Sequence, residues 1–312
     1  MAILRTEYSV PSKTGLADIF VRCWSPSDET PVAIVQVAHG MAEHGERYED
    51  FAKHLCSKGF AVVVDDHIGH GKSVKDNSEL GYFGESNGWD AFVEDEKAIT
   101  DMITAEYPDA PVIFFGHSMG SFIAREYLRR YGDNGKIAGG VICGTSGKNP
   151  ASAIAINLAD IIAKAKGSHH KSEFINKMAF GPYNKKCEGE TPFDWLSTDK
   201  AQVKKYIDDE FCGFLFTAAG YKDLFTILTV VSGKDWYQRM PKALPLLIIS
   251  GEDDPVGNYG KGIKQVYNDL KNAGAKDVTL KLYAGMRHEI LNEVKKETVY
   301  EDVASWILGK IK

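Results

Sequence analysis

Pro111-Val-Ile-Phe-Phe-Gly116-His117-Ser118-Met119-Gly120-Ser121-Phe122 carries a short apolar run into Gly-His-Ser-Met-Gly, and a helical pattern follows directly. This is the G-x-S-x-G nucleophile elbow in its required setting of strand, sharp turn and helix. The serine sits on a strained turn that lifts its hydroxyl clear of the backbone. Gly116 and Gly120 lack a Cβ, so strand and helix can approach closely. The helix behind Ser118 aims its N-terminus at the site, where a developing oxyanion is favoured.

A nucleophilic serine needs a base and an acid, and on this elbow they follow in the order acid, then histidine. Leu244-Pro-Leu-Leu-Ile-Ile249 reads as a buried parallel strand, and the acidic turn Ser250-Gly-Glu-Asp-Asp-Pro255 follows it. Loops past the carboxyl ends of such strands are where open α/β sheets place their sites. Of the nine histidines, only His288 lies beyond that turn, after the alternating segment Val278–Tyr283. It is the expected base. Glu252, Asp253 and Asp254 all compete for the acid, and Asp254 is preferred because Pro255 stiffens the backbone behind it. No second carboxylate cluster completes an oxygen shell for a cation there.

The apolar strand Val32–Ala38 ends in His39-Gly40-Met41-Ala42-Glu43-His44-Gly45. An HG-type loop after the third strand supplies one oxyanion N–H, and the residue after the nucleophile supplies the other. That assigns the backbone amides of Met41 and Met119. His39 and His44 are expected to hold the loop by hydrogen bonds rather than to move protons.

With these residues in place, the chain resembles the monoacylglycerol lipase and lysophospholipase branch of the α/β-hydrolases. The resemblance rests on His39–Tyr48, Asp66-His-Ile-Gly-His-Gly-Lys-Ser73, Gly116–Gly120, Asp254-Pro-Val-Gly257 and Pro192-Phe-Asp-Trp-Leu-Ser-Thr-Asp199, with Phe211-Cys-Gly-Phe214 after it. It runs from about residue 10 to about residue 310. It implies a Ser118, Asp254, His288 triad, an oxyanion hole at Met41 and Met119, and a cap over the site. One departure is Ile68, where the branch commonly carries arginine; that loop is expected to support the site by packing. These motifs identify the branch better than the substrate, because lipases, lysophospholipases and plain esterases share them.

The remaining sequence fits this class. A chain of 312 residues, 44% hydrophobic, can bury a large core. A net charge of −6 from 37 basic and 43 acidic residues gives no electrostatic footprint for nucleic acid and no basic face for anionic membrane. Five scattered cysteines without a C-x-x-C pair, behind a start without an apolar signal region, point to free thiols in the reducing cytoplasm. The longest apolar stretch, Phe211–Val231, is interrupted by Lys222-Asp223, so no transmembrane segment is expected.

Strand and helix signals alternate, which argues for a mostly parallel sheet with helices on both faces. Leu16–Trp24 reads as an early antiparallel strand, Phe60–Val64 as a buried one. Helical spacing covers Tyr48–Leu55, Trp89–Ile103, Tyr259–Leu270 and a last helix from about Asn292. The alternation fails across 147–240, where helical patterns dominate and Ala151–Ala165 is apolar around much of its circumference. Residues 1–146 and 241–312 are therefore expected to form the core, and 147–240 a helical cap whose apolar faces line an acyl pocket. The oligomeric state is not legible, and a transient contact of the cap with lipid stays open. Two decoys fall away. Gly71-Lys72-Ser73 lacks the first glycine of a phosphate loop, because position 66 is Asp66. Adjacent His169 and His170 have no partner at ligand spacing, so neither metal nor cofactor is expected.

The expected activity is hydrolysis of medium- or long-chain carboxylic esters, monoacylglycerol first, through an acyl-enzyme. The alternatives are a lysophospholipase or short-chain carboxylesterase, an acyltransferase, and an acyl-ligand binding protein without chemistry.

Overall fold

The computed structural model describes residues 2–311. Its centre is one eight-stranded sheet in the order β1-β2-β4-β3-β5-β6-β7-β8. The antiparallel edge is β1 (Ile3–Pro11) and β2 (Asp18–Pro26), and β2 also pairs antiparallel with β4 (Ala61–Asp66). Everything beyond is parallel: β3 (Ile34–Ala38), β5 (Val112–His117), β6 (Ile137–Cys143), β7 (Leu246–Gly251) and β8 (Val278–Tyr283).

The apolar runs are continuous because both sheet faces are covered. Along β5, Val112 and Phe114 pack to one side, with α2 (Gly88–Glu106) and α3 (Met119–Tyr131). Ile113 and Phe115 pack to the other, where α1 (Glu49–Cys56) brings Phe51 and Leu55 and the C-terminal helix brings Val299, Val303 and Ile307.

Between β6 and β7 the chain forms α4 (Ser152–Lys166), α5 (Glu173–Phe180), α6 (Lys200–Asp208), α7 (Ala218–Ser232) and α8 (Lys234–Arg239). Two more helices, α9 (Lys261–Asn272) and α10 (Lys296–Lys310), flank β8 in sequence. Arg125 ties both ends of the inserted segment to α3. It donates to Ser146 O at 2.9 Å and to Val231 O, and Trp236 Nε1 donates to Arg125 O at 2.9 Å.

Several boundaries differ from the sequence reading. β1 was not anticipated, because as an edge strand it exposes Arg5 and Glu7 and has only Val10 buried. The insertion contains one isolated bridge, Lys171 to Thr217. α4 is largely exposed despite its apolar circumference: Ile154 and Ile161 are 71% and 62% accessible. The last helix starts at Lys296, because Ile290–Asn292 forms a 3-10 turn first. Among the described residues, no helix is long and apolar enough to cross a membrane.

Candidate active site

The elbow follows β5. Ser118 has φ 53° and ψ −119°, a backbone state that a non-glycine residue holds only when its surroundings impose it. They do. Ser118 N donates to Cys143 O on β6 at 3.0 Å, and Ser121 N donates back to Ser118 O at 2.9 Å. The glycines are sterically required. A Cβ on Gly116 would stand 2.2 Å from Gly120 O, and one on Gly120 would stand 2.0 Å from Ala38 O. Met119 opens α3, so its amide has no intrahelical acceptor.

The acidic turn follows β7. Asp254 is completely buried, whereas Glu252 and Asp253 are exposed. Asp254 Oδ2 accepts from Ser250 Oγ at 3.0 Å; Oδ1 accepts from Val256 N at 2.8 Å and from His288 Nδ1 at 3.0 Å. With Nδ1–H committed to the carboxylate, Nε2 is the basic nitrogen of His288. Burial disfavours the imidazolium, but the Asp254 charge and hydrogen bond, with Glu289 and Glu43 beyond, outweigh it and raise the pKa of His288.

His288 is also held from outside the core. His288 N donates to Trp195 O at 3.4 Å and Glu289 N to Leu196 O at 2.7 Å, and the Trp195 ring lies 5.1 Å from the imidazole. Arg287 Nη1 reaches Asp194 O at 2.6 Å. The Pro192–Asp199 motif thus braces the histidine loop. His117, the second residue of the elbow motif, lies against the other side, 4.7 Å between ring centroids. Burial and the neighbouring His288 keep it neutral, its pKa well below the ordinary value.

The loop after β3 runs directly against Ser118: a Cβ on Gly40 would lie 3.1 Å from Ser118 Cβ. Gly40 N donates to Glu43 Oε1 at 2.6 Å, and Tyr48 OH donates to the same oxygen at 3.0 Å. Among the described residues, the Met41 and Met119 amides have no hydrogen-bond acceptor. Arg47 bridges this loop to the histidine loop. It donates to Glu43 and forks onto Glu289 at 2.8 and 2.6 Å. Burial opposes ionisation of Glu289, but Arg47 overrides it and takes the carboxyl down to about 2. Sequence reasoning missed Glu43, Arg47, Glu289, His117 and Trp195 as site residues. The signal available for Glu289 was adjacency to His288, and for Glu43 and Arg47 the quoted loop motif.

His39 and His44 do hold loops. His39 Nδ1 donates to Gly40 O at 2.8 Å, and His44 Nε2 meets Asp209 Oδ2 at 2.9 Å. Ile68 is buried in the core. Ser73 is a turn fastener, accepting from Phe20 N at 2.8 Å and donating to Asp66 O at 2.5 Å. His169 is an exposed side chain stacked on Tyr82 at 3.7 Å.

Ser118, Met119, Met41 and His288 all line one cavity of about 640 Å³. Its walls come mostly from the inserted segment between β6 and β7, including Ala155, Phe180, Phe214, Leu224, Phe225 and Leu228. Among the described residues, its only carboxylates are Glu43 and Glu289, and Arg47 is paired with both.

Residues 29–295 match the family model described as serine aminopeptidase, S33. The chain belongs to this family. Within it, the chain is 29% identical to the monoacylglycerol lipase of Mycolicibacterium smegmatis, over 98% of each chain. It is 29% identical to human monoglyceride lipase, covering 93% of this chain and 86% of that one. A thermostable carboxyl esterase from Bacillus coagulans, solved with glycerol, superposes with a TM-score of 0.92 at 32% identity over the whole of both chains. The fold of this S33 member is the α/β-hydrolase fold expected from its sequence.

Proposed function

We propose that the protein hydrolyses carboxylic esters with medium or long acyl chains, monoacylglycerols foremost, through an acyl-enzyme on Ser118. The observation that carries this is the shared cavity: a serine on a strained elbow and a carboxylate-bound histidine open onto one apolar chamber. His288 Nε2 takes the Ser118 proton as Oγ attacks the ester carbonyl. Asp254 holds the imidazole in its tautomer and stabilises the imidazolium. The amides of Met41 and Met119 receive the oxyanion. His288 protonates the departing alcohol, then activates the water that releases the fatty acid. These steps use no cofactor.

The segment 147–240 acts as the cap and supplies the acyl wall, each buried CH₂ being worth about 0.8 kcal/mol. Both wall carboxylates are hydrogen-bonded to Arg47, so neither stands unpaired for a peptide's α-ammonium group. That favours a neutral ester over a peptide, in line with the lipase and esterase relatives. Exposed Ile154, Ile161 and Phe174 on α4 and α5 suit a transient contact with the lipid phase that holds such substrates. Five unpaired cysteines suit a reducing compartment, the cytoplasm. The test is a panel of monoacylglycerols, lysophospholipids, 4-nitrophenyl esters and aminoacyl amides. The expected order places monoacylglycerols first; cleavage of the amides in preference to every ester would reject the reading.

A further inference from the structure

Beneath the oxyanion loop lies a buried polar cluster that the chemistry above does not use. Asp65 lies at the end of β4 and His67 just beyond it, and Glu96 projects from α2; all three are almost completely buried. His67 Nδ1 lies 2.8 Å from Asp65 Oδ2 and 3.8 Å from Glu96 Oε1. Glu96 Oε2 accepts from Gln36 Nε2 at 2.6 Å. Asp65 Oδ1 and Glu96 Oε1 have no partner among the described residues.

The other side of His67 faces His39, the residue that starts the oxyanion loop. His67 Nε2–H donates to His39 O at 3.1 Å, and His67 N donates to His39 Nε2 at 2.9 Å. The two rings stack at 4.0 Å. His39 Nδ1–H in turn donates to Gly40 O, one residue before the Met41 amide. Both ring nitrogens of His67 therefore face acceptors, which only the doubly protonated imidazolium satisfies.

We propose that His67, clamped by Asp65 and Glu96, is a positioning residue that fixes His39 and Gly40 so that the Met41 amide points at the oxyanion. This rests on the serine esterase reading above. A neutral His67 has one N–H and must release either Asp65 or the His39 carbonyl. The groups facing it are Asp65 and His70 from its own segment, His39 from the end of β3, and Glu96 and Phe92 from α2. Asp95, the next acid on α2, is turned to Ser12 and Lys13. Burial alone would discharge His67, but the charge and hydrogen bond of Asp65 outweigh it and hold its pKa at about 9. Burial and the Asp65 charge push Glu96 well above the carboxylate range, so it stays protonated and the cluster is neutral overall. His39 and His70 are kept neutral by burial beside His67. Since the His67 pKa is raised, the competent state exists below about pH 9 and is lost above it.

The experiment measures kcat and KM from pH 6 to 10 for the wild type, His67→Gln, His67→Leu and Glu96→Gln, with active sites counted by fluorophosphonate labelling of Ser118. Losing an oxyanion donor costs about 10²- to 10³-fold in kcat. His67→Leu should lose at least about tenfold in kcat with KM nearly unchanged. His67→Gln, whose amide can still donate to the His39 carbonyl but does not titrate, should restore most of kcat and abolish the fall near pH 9. Glu96→Gln, which mimics the protonated acid, should stay active. If His67→Leu fails to fold, the His67→Gln profile still decides. Normal labelling with an unaltered alkaline limb in His67→Gln would overturn the positioning role and leave the esterase reading standing. Failure of the wild type to label Ser118 would remove both.

Discussion

The Arg47 guanidinium forks onto the Glu289 carboxylate at 2.8 and 2.6 Å, and this pair fastens the loop after β3 to the loop that carries His288. Glu289 directly follows His288, and Arg47 also holds Glu43, which accepts from Gly40 N. One cation thus bridges two buried carboxylates beside the imidazole. Arg47→Met should leave both buried carboxylates without their cation and cost about 3–5 kcal/mol of stability. Thermal or urea unfolding checks this; an unchanged unfolding midpoint would contradict it.

The same charges set the acid limb of activity. In the proposed role of base His288 must be neutral, and against burial its pKa is raised by Asp254, then by Glu289 and Glu43. The acid limb of kcat/KM should therefore lie above the ordinary histidine value of about 6.5. Glu289→Gln removes one negative charge and should move that limb to lower pH. A pH-rate profile of the two proteins reads the sign directly.

Asp254→Asn should lower kcat by up to about 10⁴-fold at neutral pH, because the imidazole loses its orienting, charge-stabilising partner. Asp253→Asn, at an exposed position next door, should leave kcat within about twofold on the same scale. Steady-state kinetics on one ester compares them; equal losses would mean that Asp254 is not the acid.

Much of this was legible because the decisive elements are local. The strands β3, β5, β6 and β7 are covered on both faces and therefore read as apolar runs, and each site loop sits at the carboxyl end of a strand. Asp254 could be preferred over its neighbours from Pro255 alone. The buried ion pairs were not legible, since Arg47 and Glu289 are 242 positions apart and meet only when β3 and β8 lie in one sheet. The edge strand β1 was missed because exposure gives it charged residues at strand positions. The exposure of α4 was missed because an apolar circumference reads as burial, whereas here Ile154 and Ile161 face outward.

The chamber makes a graded expectation for acyl length. At about 0.8 kcal/mol per methylene, kcat/KM should rise roughly fourfold for each added CH₂ until the walls are filled. The series should run from acetyl to at least octanoyl esters below the critical micelle concentration. A maximum at acetate would mean that the inserted helices do not form an acyl pocket.

The central claim is that Ser118 is the nucleophile. It is tested most directly by treating the protein with a fluorophosphonate and locating the adduct by mass spectrometry, with Ser118→Ala in parallel. The account expects one adduct on Ser118, and a Ser118→Ala protein that folds, takes no label and loses nearly all ester hydrolysis, keeping at most about 10³-fold over water from the oxyanion hole and binding. An adduct on Ser73 or Ser146, or full hydrolysis by Ser118→Ala, would contradict it.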